Sequence, residues 1–242
     1  MNSTINLQGQ TVVVLGGSSG ICLAVAQGAL AAGARAWIAG RDPQRLAAAL
    51  DATPDLQGAA LDIADAGALS AFFARVGAFD HLVVTAGART AAAPLREQDF
   101  GALQEALQVK LVGSLLAARL ALPQLRAGGS IGFTSGMLAR KPTANALVKT
   151  VINAGLEAAT RQLAKELAPL RVYAVSPGPV DTPAWQFPDA ASRAAKFAQI
   201  GAGLPLGFAA SAADTAAAYL FAMGARALTG SVIDLDGGAL LV

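Results

Sequence analysis

The chain has 242 residues, of which 54% are hydrophobic and 14% charged, and its formal net charge is +2. This length and composition suffice for one α/β domain with a large core over residues 1–242, and they argue against disorder. Lysine, arginine, aspartate and glutamate are dispersed along the chain, which excludes the basic stripe typical of proteins that bind nucleic acid or anionic membranes. We therefore expect a small-molecule partner.

The chain has one cysteine, Cys22, and one histidine, His81. A single cysteine excludes an internal disulfide, and a single histidine leaves no cluster for zinc or for a His-dependent catalytic triad, so no metal site is expected. The first nine residues are polar, without the features of a signal peptide, and no run of 18 apolar residues follows. We expect a cytoplasmic protein with no membrane partner.

Short apolar runs alternate with alanine-rich helical stretches along the chain. This order predicts a single doubly wound Rossmann-type α/β domain, with a mainly parallel seven-stranded sheet flanked by helices. Ligands of such folds bind outside the carboxyl ends of the strands. The predicted strands lie at residues 11–15, 36–39, 58–61, 81–85, 130–134, 171–175 and 231–235.

Two long predicted helices, 97–125 and 144–168, contain more alanine and leucine than an exposed helix needs. They could form an oligomer interface, or pack against the sheet of their own subunit, or do both with opposite faces. We expect a homo-oligomer, either a dimer or a tetramer.

A glycine-rich loop, Leu15–Cys22, joins the first predicted strand to a helix. Its glycines have the spacing Gly-x-x-x-Gly, which allows a tight turn and a close approach to a pyrophosphate, and the N-terminus of the helix favours negative charge. An ordinary strand-to-helix turn is the alternative for this loop alone.

Several later motifs agree in order and spacing with the loop. Asp62-Ile63 follows the third strand, Thr85-Ala86-Gly87 the fourth and Ser135 the fifth, while 177–182 and 236–238 follow the last two. Together they resemble the short-chain dehydrogenase/reductase family, from Leu7 to Val242. The resemblance implies a nicotinamide cofactor bound by Gly16, Ser18, Ser19, Gly20, Ile21, Arg41, Asp62, Ile63, Ala86, Gly87, Lys149, Pro177, Gly178, Val180 and Thr182.

The end of the second strand indicates which cofactor is used. Arg41 stands there in place of the carboxylate that would bind a ribose 2′-hydroxyl, and an arginine fork suits a 2′-phosphate. Ser18 could add a hydroxyl contact. The alternative is a solvated Arg41 beside an Asp42 helix cap followed by Pro43, and both roles are compatible. We predict NADP(H).

The sequence departs from the family pattern inside the glycine loop. Leu15 replaces the usual threonine, and Cys22 replaces the last glycine. Because a free cysteine usually behaves as a small buried hydrophobe, Cys22 is interpreted as structural.

The larger departure is in the catalytic group, which in the family is Asn, Ser, Tyr and Lys, with the last two spaced Tyr-x-x-x-Lys. Ser135 and Lys149 match, but Lys110 stands at the asparagine and Asn145 at the tyrosine. The four-residue spacing predicts that Asn145 and Lys149 share one helical face directed at the cofactor. The predicted catalytic group is therefore Ser135, Asn145, Lys149 and Lys110.

Loss of the phenol removes the group that protonates the product. An amide cannot replace it, and losing a positioned general acid typically slows a reaction by about 10² to 10⁴. Three alternatives remain: Lys149 donates the proton, Asn145 and Ser135 hold a relay water, or the substrate is an iminium or quinone that needs little help.

Segment 183–208 resembles the family's flap over the active site. Its apolar and aromatic residues indicate a hydrophobic substrate, although they could simply pack the flap. Tyr173 is predicted to lie in the core or at an interface and Tyr219 in a late helix with alanine neighbours, so neither is expected to be catalytic. Two functions follow: an atypical NADP(H)-dependent oxidoreductase acting on a hydrophobic carbonyl, imine or quinone-like compound, or an NADP(H)-binding pseudoenzyme with a sensing or assembly role.

Overall fold

A computed structural model describes residues 5–16, 18–87 and 91–242, so Gly17 of the glycine loop lies outside the described residues. Seven strands form one parallel sheet in the order β3-β2-β1-β4-β5-β6-β9, and two short strands pair separately. The strands are β1 (Thr11–Leu15), β2 (Arg35–Gly40), β3 (Leu56–Ala60), β4 (Phe79–Val84), β5 (Leu125–Thr134), β6 (Arg171–Pro177), β7 (Val180–Asp181), β8 (Ala210–Ser211) and β9 (Val232–Leu235).

Helices cover both faces of the sheet. On β1, Val13 and Leu15 point to the core shared with α3 to α6, whereas Val12 and Val14 point to the core shared with α1, α2 and α8. This alternation is the two-residue period of a strand that is buried on both faces. The helices are α1 (Gly20–Ala31), α2 (Pro43–Ala52), α3 (Ala66–Val76), α4 (Phe100–Leu107), α5 (Gly113–Ala121), α6 (Leu147–Glu166), α7 (Ala190–Ala202) and α8 (Ala212–Gly224).

The strand order reverses between β1 and β4. The chain runs outward from β1 through β2 to β3 and then returns to place β4 on the other side of β1. Helices leave these two strands toward opposite faces, and this opens a crevice at their carboxyl ends. The predicted fold class and all seven predicted strands are confirmed.

The long helix predicted at 97–125 is interrupted. A five-residue π-helix, Gln108–Val112, separates α4 from α5, and the Ser114 hydroxyl donates to the Lys110 carbonyl at 2.5 Å. By length and composition, Phe100–Gln124 could cross a membrane, which is weak support for a span because core helices pass the same test. Here Ala117 and Ala121 are fully buried in the core.

Helix α6 begins later than predicted. Ala146 is its N-cap residue and makes no side-chain capping bond, and Asn145 before it has a left-handed φ of +65°. Asn145 therefore lies in the preceding loop. The prediction that Asn145 and Lys149 share a helical face is wrong, because only Lys149 belongs to the helix.

Candidate active site

A cavity of about 560 Å³ opens at the carboxyl ends of β1 and β4. The N-terminus of α1 forms one wall, α4 another, and the segment after β7 a third. The cavity is lined by Gly16, Ser19, Gly20, Ile21, Cys22, Arg41, Arg45, Thr85, Gly87, Ala102, Glu105, Ala106, Thr134, Thr182, Pro183 and Ala184.

Two positions in the loop require glycine. Gly16 has φ +134°, and a Cβ atom there would lie 2.3 Å from the backbone nitrogen of Ala86. Gly20 has φ +58°, and its Cβ would lie 3.3 Å from the Cβ of Thr182. The backbone is thus folded closely against the ends of its neighbours, as the glycine spacing predicts.

The N-terminus of α1 suits an anion. Ser19 is the N-cap residue, but its side chain makes no capping bond, and the first turn of the helix contains no acidic residue. The first backbone N–H groups and the positive end of the helix dipole therefore face the cavity without a side-chain acceptor from this turn.

Two arginines follow β2 beside this cavity. Arg41 lines both the large cavity and a smaller pocket of about 50 Å³, and Arg45 lines the large cavity. Asp42 caps α2 by accepting from the Gln44 and Arg45 N–H groups at 3.0 Å, as the alternative interpretation of Arg41 and its neighbours predicts. Sequence reasoning missed Arg45, although its position four residues after Arg41 could have indicated it.

Of the other residues predicted to bind the cofactor, some line the two cavities and others do not. Ile63, Ala86 and Gly87 line the smaller pocket. Asp62 is exposed and accepts a hydrogen bond from the Ala64 N–H at 2.9 Å, and Ser18 is only 8% exposed. Neither of these two residues lines the two cavities.

On the side of the large cavity that is formed by the segment after β7, Thr182 is part of the lining. Gly178 packs tightly against the C-terminal turn, since a Cβ there would lie 2.8 Å from the Asp236 Cα. This contact fixes the segment between Pro177 at the end of β6 and Val180 in β7.

The Ser135 hydroxyl points away from the cavities. Ser135 is 3% exposed, and its Oγ donates to Glu157 Oε1 at 2.9 Å. Glu157 is itself buried and contacts Arg140 Nε at 3.4 Å. A Cβ on the next residue, Gly136, would instead lie 2.8 Å from Asn153 Nδ2. Ser135 Oγ also lies 3.3 Å from the backbone carbonyl oxygen of Asn153, but the position that faces the Asn153 side chain is 136, where there is no side chain.

The π-helix places Lys110 against α6. Its ammonium donates to Asn153 Oδ1 at 2.8 Å. Burial and, to a smaller extent, the charge of Lys149 lower the pKa of Lys110 from 10.5 to about 8. Lys149 lies one turn before Asn153 on the same helix and is exposed. The helical pair with four-residue spacing beside Lys110 is thus Lys149 and Asn153.

Sequence reasoning missed Asn153, although a signal was present. Lys149, Asn153 and Glu157 form a polar stripe with four-residue spacing next to an apolar stripe, and two of these three polar residues are buried. Buried polar side chains in a helix need partners and so indicate a polar contact.

Asn145 and Lys149 do line one cavity, of about 180 Å³. The ends of β4 and β5 and the segments after them contribute to two cavities: Gly87 and Thr134 line the 560 Å³ cavity, and Ala92 and Leu138 line the 180 Å³ cavity. Asn145 thus reaches the region of Lys149 from the loop and not from the helix.

Neither tyrosine of the chain is available to this site. Tyr173 and Tyr219 are both fully buried in the core, which is one of the two roles predicted for Tyr173, and burial is the main cause that raises the pKa of each. The Tyr219 hydroxyl is paired with Thr134 Oγ1 at 2.6 Å. Cys22 is also buried, and burial raises the pKa of its thiol to about 12, which agrees with a structural role.

The aromatic residues of segment 183–208 pack on one another. Trp185 and Phe187 are stacked with centroids 6.4 Å apart, and Phe197 of α7 meets both rings edge-on. Trp185 also donates to the Val180 carbonyl at 3.0 Å. These contacts agree with the packing interpretation of the segment.

Comparisons with known proteins agree with this geometry. The family model described as "Enoyl-(Acyl carrier protein) reductase" matches residues 16–239. The chain is 34% identical to the short-chain dehydrogenase/reductase ATR9 of Stachybotrys chlorohalonatus over 251 residues, covering 97% of this chain and 98% of that protein.

Two solved structures are also similar. A small-chain dehydrogenase in complex with NADPH is 40% identical, with a TM-score of 0.83 over 96% of this chain and 99% of that one. A short-chain oxidoreductase from Pseudomonas aeruginosa, described as containing an atypical catalytic center, is 30% identical, with a TM-score of 0.88 over 97% and 98% of the two chains. The chain therefore belongs to the short-chain dehydrogenase/reductase family.

Proposed function

We propose that this protein is an NADP(H)-dependent oxidoreductase in which Lys149 replaces the family's catalytic tyrosine. Its substrate would be a hydrophobic carbonyl, imine or quinone-like small molecule. The observation that carries the proposal is the lysine at the cavity next to the Lys110–Asn153 pair.

The large cavity fits the cofactor. Its glycine-lined wall and the uncapped start of α1 suit a pyrophosphate, and Arg41 and Arg45 supply cations at the end of β2, where a 2′-phosphate would lie. The similar dehydrogenase solved with NADPH supports the same choice. When bound, NADP(H) supplies the hydride, so no side chain has to carry it.

We assign the tyrosine and lysine of the family to positions one helical turn later than the prediction from sequence. Lys110 keeps the family's asparagine position, and the α6 pair beside it supports Lys149 at the tyrosine and Asn153 at the lysine. Gly136, whose Cβ would face Asn153, then takes the place of the serine, and Ser135 keeps a structural bond to Glu157. The atypical center described for the P. aeruginosa relative supports departures of this kind.

Lys149 can perform part of the work of the missing phenol. An ammonium can donate a proton to a developing alkoxide or hold a stabilised oxyanion by charge. Lys110 does not line the cavities but donates to Asn153 on α6, one turn after Lys149, so it is a positioning residue. Because no serine hydroxyl assists at position 136, substrates whose reduction leaves a stabilised oxyanion, such as quinones, should react fastest, whereas the two ammonium groups would repel a cationic iminium.

The pseudoenzyme remains the second candidate, and Gly136 and Asn153 favour it because neither can donate the hydroxyl or ammonium of the family pattern. The two functions differ in turnover. NADPH consumption should be followed by absorbance with panels of ketones, imines and quinones. Consumption with one class supports the oxidoreductase, whereas tight NADPH binding with no turnover on any class supports the pseudoenzyme.

Two lysine variants test the role of Lys149. Lys149→Met should lower the turnover of the best substrate by about 10²-fold or more while NADPH affinity stays within a few-fold. Lys165→Met, at the exposed far end of the same helix, is the matched control and should leave turnover unchanged. Equal turnover of both variants would exclude Lys149 as the proton donor.

The exchanged positions can be tested independently of activity. Lys110→Asn leaves two amides in contact and Asn153→Lys leaves two ammonium groups, but the double variant restores one of each. We expect the double variant to be more stable than the sum of the single effects by at least about 1 kcal/mol in a thermal-unfolding cycle. If the destabilising effects of the two single variants simply add in the double variant, the proposed exchange of Lys110 and Asn153 is contradicted.

A further inference from the structure

The cavity beside Lys149 combines one cation with apolar walls. It has a volume of about 180 Å³, and Lys149 is the only charged residue among the described residues that line it. Ala92, Leu138 and Val148 supply apolar wall, and Thr143 and Asn145 supply polar groups. A small organic molecule with one charged end and an apolar body matches such a lining.

The positive charge at this place lacks a counter-ion. Within residues 5–16, 18–87 and 91–242, no carboxylate oxygen lies within 4.0 Å of the Lys149 or Lys110 ammonium. Lys110 donates only to the neutral Asn153. The nearest acid along the α6 stripe, Glu157, is engaged by Ser135 and Arg140.

The ammonium groups of Lys110 and Lys149 interact by charge, and without an acid beside them they raise the local electrostatic potential. A partly desolvated anion in the cavity would lower this repulsion and would gain charge-assisted hydrogen bonds from Lys149. A neutral ligand of the same shape gains neither. The arrangement therefore selects ligands by charge as well as by shape.

We propose that the substrate of this enzyme carries a carboxylate next to its reacting carbon, so that Lys149 contacts both the carboxylate and the reacting oxygen in this cavity, with Lys110 reinforcing the positive potential. This inference rests on the proposed function, because it names the substrate class of the same site. The apolar wall formed by Ala92, Leu138 and Val148 then receives the rest of the molecule.

The test is equilibrium binding, which requires no turnover. Benzoate and its neutral isostere benzamide are titrated by calorimetry into the full-length protein saturated with NADP⁺. Since a hydrogen bond to a charged group contributes about 1.5–3 kcal/mol, benzoate should bind at least about tenfold more tightly than benzamide.

Variants assign this preference to the lysines. Lys149→Met should remove it, Lys149→Arg should retain most of it, and Lys110→Met should reduce it by about threefold or more. Lys165→Met is the matched control and should not change it. Unchanged NADP⁺ affinity in each variant shows that the fold is intact.

Two results would overturn the proposal: equal affinity of the wild-type protein for benzoate and benzamide, or a benzoate preference that survives Lys149→Met. These results are distinct from failure of the proposed function. Selective benzoate binding without turnover on any substrate panel refutes the oxidoreductase but supports the anion site. Turnover of neutral substrates without benzoate selectivity supports the oxidoreductase but refutes the anion site.

Discussion

Replacing Lys110 by methionine should remove a pH-dependent gain in stability. The folded protein holds this lysine half-buried against Asn153 and near Lys149, and its pKa falls from 10.5 to about 8. Below about pH 8 both the folded and the unfolded states carry the proton, so the folded state bears the full cost of the charge. Between about 8 and 10.5 only the unfolded state remains protonated, so stability rises with pH.

The size of the gain follows from the two pKa values. The fall from 10.5 to about 8 corresponds to about 3 kcal/mol when the folded protein has released the proton and the unfolded chain has not. Between about pH 7.5 and pH 10, the part of the transition that is accessible to experiment contributes about 2 kcal/mol.

The assay is unfolding by denaturant at the two pH values. The rise in unfolding free energy of the wild-type protein, minus the rise in Lys110→Met, should be about 2 kcal/mol. Other titrating groups cancel in this double difference, as does most of the effect of losing the bond to Asn153. Lys165→Met should follow the wild type. A double difference below about 0.5 kcal/mol would refute the argument that the buried Lys110 charge is costly.

Three further predictions concern other parts of the molecule. Arg41→Ala should weaken NADPH binding by about 10- to 100-fold and leave NADH affinity unchanged in fluorescence titrations; an equal loss for both cofactors would contradict a phosphate contact. Gly16→Ala should abolish NADPH binding or folding because its Cβ would lie 2.3 Å from a backbone atom, whereas Gly224→Ala, in open space, should do neither. Burial lowers the pKa of His81 from 6.5 to about 4, so stability should fall by about 2 kcal/mol from pH 7 to pH 5 as the unfolded chain takes up the proton; a similar fall in His81→Gln would disprove this cause.

The centre of the sheet could be predicted because β1, β4 and β6 are buried apolar runs. The run 11–15 coincides with β1, where every residue is buried. By contrast, β5 begins at Leu125, five residues before the predicted start, because its first part is exposed and contains no apolar pattern. The two-residue strands Val180–Asp181 and Ala210–Ser211 are too short for any period to reveal them.

The phosphate side of the site was predictable because backbone geometry creates it. Gly16 and Gly20 are required by steric contacts that the loop spacing signals directly. The catalytic side depends on side-chain register, and register depends on where α6 begins. Its start carries no Ser, Thr, Asp or Asn cap, since Ala146 occupies the N-cap position. The alanine-rich sequence around it hides the boundary, and Asn145 was therefore assigned to the helix.

The revised register makes the departure from the family pattern smaller. If Lys110 and Asn153 exchange the asparagine and lysine of the family, the contact between the π-helix and α6 still pairs one amide with one ammonium, at 2.8 Å. The chemical change is then confined to position 149, where an ammonium replaces a phenol, and to position 136, where a hydroxyl is lost. Both changes leave the cofactor cavity intact, and the change at position 149 adds positive charge where the substrate would lie. A site altered in this way should keep NADP(H) and select a different, more acidic class of substrate, which favours a redirected enzyme over a protein that has lost catalysis.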